Sequence, residues 1–522
     1  MMKYIFRLAN IIILAAVLQW LYFIALVYSL AGLSPLIHII MTAFGILCAL
    51  FIVSGRDAAV YKMAWAVLIL LFPSIMGAVY LFYNRRITGR KIESDMLTAR
   101  KNALRFIDTR TRVCPDGAVN ERIAAYIEKT TQTPPASYYE AEYFPQGEDF
   151  QRRFLKELEK AERYIFIEFF IIEQGRMWNQ ILEVLVRKLN AGVEVRLIYD
   201  GCATLYTLPY RYYEKMRKMG IKCSVYNPMR SLISFRINNR NHRKVAVIDG
   251  HTAFCGGLNL SDDYINAKPY PKTGHWKDSA VMVKGGAAWN QTLTFLSMWE
   301  FLTRKREDYT SYIPNKLTVN NDKNTASVIG NLSVTDAASV TDTASVWHDL
   351  PLDCEAVSER IFLHFINRAD KYVYITTPYL APSEEIITAL CAAARGGTDI
   401  RIMLPFLPDK YVVHAVSKSN YLPLLEAGVK IFEYPPGFIH SKNIVSDDER
   451  AAVSTVNFDY RALYMHHECG ICLYGKEIIA DIKRDFMETQ KNSHEITLDA
   501  YSKTGFFQRG VRRVCRIFAP LI

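Results

Sequence analysis

The sequence has no histidine pair and no second cysteine pair at zinc spacing, no carboxylate cluster suited to a metal, and no single basic tract. Cys469 and Cys472 form one C-x-x-C with no second pair to complete a zinc set. Glu468 to Tyr474 around them alternates like a strand, so both cysteines read as strand packing. The ten cysteines are unevenly placed, one of them in a long apolar run, which argues against a disulfide framework. Residues 316–346 lack aromatics and any helical period. They are rich in Asn, Thr, Ser, Asp, Ala and Val, with near-repeats at Ser333–Asp336 and Ser339–Asp342, and read as a surface linker or loose insertion. The net charge of +11 is scattered, which counts against a nucleic-acid partner and suits an anionic membrane surface.

Apolar runs are present, and they are concentrated at the start. Residues 11–30, 35–53 and 63–83 are each about the length that spans a bilayer. A secretory signal would be single, short and followed by a cleavage site, so three successive runs predict a retained anchor over 1–85. The break at Ala31–Pro35 is either a turn between two spans or a kink in a re-entrant hairpin. Arg85, Arg86, Arg90, Lys91, Arg100 and Lys101 follow the third run, and this bias predicts a cytoplasmic location for everything after residue 85.

One pattern is written twice. His242, Lys244 and Asp249 form H-x-K-x4-D, and so do His440, Lys442 and Asp447. Each copy is followed by a small-residue turn and an asparagine, Gly256-Gly257-Leu258-Asn259 and Ser454-Thr455-Val456-Asn457. The histidine-to-asparagine spacing is 17 in both. Chance does not supply two such matches with a shared tail. The repeat extends further. Ala161–Ile167 matches Ala369–Ile375, Gly192–Leu197 matches Gly397–Ile402, and Gly220–Lys222 matches Gly428–Lys430, in the same order. Each apolar block reads as a strand and the segments between as helices, for example Gln151 to Glu162 with Phe154, Leu155 and Leu158 on one side. The expected architecture is an α/β sandwich in each half. The predicted organisation is an anchor over 1–85, a connector over 86–140, a first half over 141–315, the 316–346 linker, a second half over 347–500 and a basic amphipathic end over 501–522. That end reads equally as a membrane-surface helix or a terminal helix packed on its own domain.

The motif residues are those of a phosphodiester-cleaving site. In a strand, residues i and i+2 share a face, so His242 projects with Lys244 and His440 with Lys442. Gly256 and Gly257 permit close backbone approach, as does the turn at Ser454. Asn259 and Asn457 would add neutral donors to the two ammonium groups, and four donors around one phosphate offset charge developing on its non-bridging oxygens. No metal or other cofactor is required. One histidine attacks phosphorus while the other protonates the leaving alkoxide, and both states are within reach near neutral pH. The second nitrogen of each histidine needs an acceptor. Asp278 and Glu468 are the candidates, and each reads equally as a plain strand-edge carboxylate.

These motifs resemble the phospholipase D superfamily and, within it, the bacterial cardiolipin synthases. Asn239–Lys244, Gly256–Asn259, Thr377-Pro378-Tyr379, Leu424–Lys430 and Asn457–Arg461 are similar to that family, as are the N-terminal runs and the Ala519–Ile522 ending. Ser454 stands where the family usually has glycine, and His466-His467 where it is usually less polar. The resemblance implies two pseudo-twofold-related α/β halves preceded by transmembrane helices, with one active site at their junction. It implies transfer of a phosphatidyl group from one phosphatidylglycerol to another, releasing glycerol, with His242 as nucleophile and His440 as acid and base. It makes Asp278 and Glu468 the histidine-orienting acids, and Asp249 and Asp447 structural rather than chemical. It implies a multi-pass protein of the bacterial inner membrane whose partners are phosphatidylglycerol and anionic lipids. A hydrolase, or a transferase using another alcohol, shares the chemistry as far as the intermediate. A nucleic-acid phosphodiesterase and a non-catalytic membrane scaffold fit the sequence less well.

Overall fold

The computed structural model describes residues 34–55, 59–72, 76–77, 79–80, 86–227, 239–268, 274–314, 342–350, 355–503, 505, 508, 510 and 515–516. The chain divides into two compact units. One comprises Met1–Arg90, Met229–Ile237 and Ile517–Ile522, the other Lys91–Pro228 and Asn238–Arg516.

In the first unit the helices Ser34–Val53 and Ala59–Leu71 bury Cys48, Ile52, Trp65, Ile69 and Tyr80 together. Lys62 Nζ donates to the Val53 and Gly55 carbonyls, both at 3.1 Å, and so satisfies acceptors that the end of the first helix leaves open. Ile39, Leu47, Leu50 and Phe51 point outward, each more than half exposed. The expected run 11–30 lies outside the described residues, as do residues 73–75, 78 and 81–83 of the third run. Among the described residues, no helix is both long and apolar enough to cross a membrane.

The second unit is built on one long sheet. Its strands in the first half are β1 (Ala136–Phe144), β2 (Tyr164–Phe169), β3 (Glu194–Asp200), β4 (Lys222–Tyr226), β5 (Arg240–Asn241), β6 (Lys244–Ile248), β7 (Thr252–Gly256), β8 (His275–Lys277) and β9 (Ala280–Gly285). In the second half they are β10 (Asp342–Asp349), β11 (Tyr372–Thr376), β12 (Leu380–Ala381), β13 (Asp399–Pro405), β14 (Lys430–Tyr434), β15 (Gly437–Ile439), β16 (Asn443–Ser446), β17 (Arg450–Ser454), β18 (Phe458–Asp459), β19 (His466–Leu473) and β20 (His494–Ile496). The sheet order is β20-β14-β13-β11-β16-β17-β19-β10-β1-β9-β7-β6-β2-β3-β4. Read outward from the antiparallel β1–β10 pair, the two halves repeat one pattern, and β20 is the extra strand at one edge. The duplicated blocks are the parallel pairs β2–β3 and β11–β13.

Alternation along β2 explains why these strands are apolar throughout. Ile165 and Ile167 enter a core under the helices Gly147–Glu159 and Arg176–Asn190, while Tyr164 and Phe166 enter a second core under Gly286–Thr303. Strands covered on both faces need apolar residues at successive positions. Helix Gly147–Glu159 buries Phe150, Phe154 and Leu158 at a spacing of four, with Leu155 at the margin. The core under Gly286–Thr303 draws residues from both halves, including Val247 and Val283 from one and Val453 and Ile471 from the other. Burying each such side chain contributes about 1.5–3 kcal/mol, so the halves share one apolar interior.

Strand boundaries cross the expected domain limits. β1 starts at Ala136, within the predicted 86–140 connector, and β10 starts at Asp342, within the predicted 316–346 linker. Residues 315–341 lie outside the described residues, as does most of 501–522. Cys469 and Cys472 sit on opposite faces of β19, in separate cores, so their C-x-x-C cannot converge on one ion.

Candidate active site

Each motif histidine is pinned by the opposite half. β5 runs parallel to the start of β19, with Arg240 opposite His466 and Asn241 opposite His467. The His242 amide continues this pairing to the His467 carbonyl at 3.0 Å. β15 runs parallel to β8, and the His440 amide donates to the Lys277 carbonyl at 2.8 Å. The residue after each partner carbonyl is the acid. Glu468 therefore lies 2.8 and 3.0 Å from His242 Nδ1, and Asp278 lies 2.6 Å from His440 Nδ1. Both acids are fully buried. A carboxylate acceptor at Nδ1 places the proton there and leaves Nε2 of each ring for chemistry.

The lysines follow their histidines by two residues and share their face. Lys244 Nζ donates to the His242 carbonyl at 2.6 Å, and Lys442 Nζ donates to the His440 carbonyl. Burial pulls Lys244 down to about 7, against the attraction of Glu468, and Lys442 down to about 8, against Asp278 and Glu468. Burial, then Lys442, holds His440 at about 4 despite Asp278. Burial, then Lys244, holds His242 well below the ordinary imidazole range, and His466, Lys442 and His440 push it the same way. Burial raises the Glu468 carboxyl, which Lys244 opposes. Two lysines and two histidines thus lie buried within reach of one another's charge.

The remaining sequence-predicted residues separate into groups. Asp249 and Asp447, placed with the catalytic set by the motif, lie at the far ends of their strands. Asp249 accepts from the Glu162, Arg163 and Tyr164 amides at 2.8 Å each, and Asp447 accepts from the Asp370, Lys371 and Tyr372 amides at 2.9–3.0 Å. They tie the turn after the motif to the start of β2 and of β11, and neither approaches the histidines. Asn259 bonds on both sides of its amide: its Nδ2 donates to the Tyr264 hydroxyl at 2.6 Å and its Oδ1 accepts from the Ile171 amide at 3.1 Å. Asn457 is buried with Oδ1 unpartnered.

The glycines serve the acids. A Cβ on Gly257 would stand 2.2 Å from Asp278 Oδ1, and one on Gly256 2.4 Å from the Ser279 carbonyl. Ser454, the register counterpart of Gly256, keeps its side chain because Gly470 stands opposite it, where Ala280 faces Gly256. Thr455, the counterpart of Gly257, donates its hydroxyl to Glu468. The two histidine–acid pairs are therefore alike in geometry and unlike in support.

The aromatic walls escaped sequence reasoning. Phe170 packs edge-on against His242 at 4.7 Å between centroids, while Tyr264, Trp276 and Phe438 surround His440 at 5.4, 5.8 and 6.0 Å. Nothing in their spacing marks them; only the strand pairing brings them in. His466 lies 5.3 Å from His242, and its unusual polarity beside Glu468 was its one signal. His242, His466 and Glu468 bring ligand atoms within 4.8 Å of one another. However, Glu468 already serves His242 Nδ1, and the buried lysine charges beside them favour an anion over a cation.

Comparison with known proteins gives the family. A family model described as "Cardiolipin synthase, PLD-like domain" matches residues 154–268 and 362–489, one block per half. An uncharacterized protein of Streptococcus mutans is 36% identical over 91% of this chain and 99% of its own length. A cardiolipin synthase of Geobacillus kaustophilus is 30% identical over 94% of each chain, and one of Alkalihalophilus pseudofirmus is 29% identical over 88% of each. Among solved structures, a phosphatidylserine synthase of Haemophilus influenzae shares the fold, with a TM-score of 0.55 at 13% identity over 76% of this chain and 98% of that one. With two histidine–lysine motifs meeting across a duplicated α/β fold, the chain belongs to the cardiolipin synthase family, phosphatidyltransferases of the phospholipase D superfamily.

Proposed function

We propose that this protein moves a phosphatidyl group from one phosphatidylglycerol to the hydroxyl of another, giving cardiolipin and glycerol. The observation that carries the reading is the crossed anchoring of the two histidines, His242 by Glu468 and His440 by Asp278. It leaves two Nε2 atoms available to one phosphorus. His242 Nε2 attacks phosphorus, the bond to the glycerol oxygen breaks, and His440 gives its Nε2 proton to that oxygen. His440 Nε2 then takes the proton of the second phosphatidylglycerol's hydroxyl, whose oxygen displaces His242 from phosphorus. Lys244 and Lys442 offset charge on the non-bridging oxygens. By themselves both histidines are poor proton carriers. The phosphodiester anion raises their proton affinity when it binds, so substrate itself helps protonate the acid.

A lipid substrate accords with the surroundings. The loops after β3 and β13 lie at the active-site end of the sheet; the first exposes Tyr206 and Tyr210, and Tyr411 is exposed where the second enters the helix Tyr411–Ser419, while Asp409 in the second loop accepts from Tyr379, which packs on Phe438 beside His440. Aromatic residues with polar tips suit a membrane interface. The outward apolar face of Ser34–Val53 and the basic residues after position 85 accord with a multi-pass anchor in the bacterial inner membrane and a cytoplasmic site.

The test is to incubate detergent-purified protein with labelled phosphatidylglycerol and separate the lipid and water-soluble products. Cardiolipin with free glycerol supports the proposal. Phosphatidic acid alone replaces transfer with hydrolysis, and full activity in His242→Ala removes the mechanism.

A further inference from the structure

His466 is a mostly buried histidine that neither the fold nor the mechanism employs. It opens β19 two residues before Glu468 and so shares the face that carries the orienting acid. Its ring sits 5.3 Å from that of His242, inclined by 42°. The side chain is 11% exposed, and Nδ1 and Nε2 are both buried without a hydrogen-bond partner. Nδ1 stands 3.5 Å from Glu468 Oε1 without bonding it. Its neighbour His467, on the other face, is placed differently, with Nε2 2.9 Å from the Tyr226 hydroxyl.

A buried imidazole with two unmet nitrogens is costly unless something else fills the space. The surrounding charges identify what it would be. Arg461, Lys244 and Arg240 all act on His466, and with burial they keep it neutral, with one N–H to give. The counterpart of His466 in the other half is Trp276, also two residues before its acid, and there the flank of His440 is aromatic. Asn259 Nδ2, the donor expected from the first motif, gives one of its two N–H groups to Tyr264.

We propose that His466 is a substrate-contacting residue whose free N–H hydrogen-bonds a non-bridging oxygen of the phosphodiester on the His242 side of the site. This rests on the reading that a phosphodiester binds between the two motifs, and it makes the two flanks of that phosphorus chemically unequal. The His242 flank sets a hydrogen-bonding imidazole beside the Phe170 ring, whereas Tyr264, Trp276 and Phe438 line the His440 flank.

The probe is tungstate, a tetrahedral oxyanion, titrated by calorimetry into the detergent-purified full chain, with each variant's unfolding midpoint recorded. His466→Phe is expected to weaken tungstate binding about tenfold to a hundredfold, the loss of one hydrogen bond to a charged group. His466→Gln, which keeps a donor, is expected to recover most of it. The same loss is expected when His466→Phe is added to His242→Ala, because the contact is direct. If His466→Phe fails to fold, His466→Ala carries the comparison. Wild-type affinity in the Phe or Ala variant overturns the proposal, and so does a loss that vanishes in the His242→Ala background. Because no lipid is turned over, this result stands apart from the product assay. A protein that makes no cardiolipin yet loses tungstate with His466 would refute the proposed reaction and keep this contact.

Discussion

At the scale of residues, the histidine–acid pairs divide the labour between orientation and charge. Glu468→Gln and Asp278→Asn keep the shape of each pair and lose the acceptor that sets the tautomer. Each is expected to lower kcat by about 10³- to 10⁴-fold with a small change in KM, which steady-state kinetics on phosphatidylglycerol micelles will show. The lysines set the pH response. Held at about 7 and about 8, Lys244 and Lys442 are charged below those values and neutral above them. Raising the pH through that window discharges the free enzyme's phosphate donors, so kcat/KM is expected to fall across pH 7–8. A profile flat to pH 9 would contradict this. Asp249 and Asp447 belong to a different ledger. Each accepts three backbone amides from a backbone of positive φ, 52° and 59°. Replacing either with alanine should cost about 2–4 kcal/mol of stability and lower the thermal midpoint, rather than act on the chemical step of the molecules that remain folded. The motif shows these aspartates as plainly as its histidines. Their role depends on which amides the turn meets, and a pattern of letters does not carry that.

At the scale of elements, what matters is how closely β7 and β17 approach the strands that bear the acids. Gly257→Ala would drive a methyl into Asp278. A displacement of that size at the group holding His440 is expected to cost about 100-fold in kcat. Ser454→Gly should leave kcat unchanged, because the serine occupies room that Gly470 leaves. Gly470→Ala should destabilise the protein by about 1–3 kcal/mol, since its methyl would meet the Trp347 ring at 2.2 Å and Ser454 Cβ at 2.7 Å. Activity and melting measurements on the three variants separate these outcomes. The strands themselves were readable from duplicated apolar blocks. Their partners were not, because apolar periodicity records that a face is buried and leaves open against what.

At the scale of the whole molecule, the site does not exist in either half alone. The β1–β10 junction makes one sheet of two repeats, and each histidine takes its acid from the far side of that junction. Residues 1–316 and 341–522 produced as separate chains should therefore show transferase activity only when co-expressed, tested by cardiolipin formation in the mixed and the single preparations. The sequence by itself determined the two motifs, the duplication and the α/β character, because these are written in residue type and local period. Only the tertiary structure decided which acid serves which histidine, why Gly257 is small, where the aromatic walls stand and that His466 is left unpartnered. These depend on contacts between residues 226 and 162 positions apart along the chain. Pairing over such distances is set by the register of a sheet shared between both halves, and no local stretch of sequence encodes it.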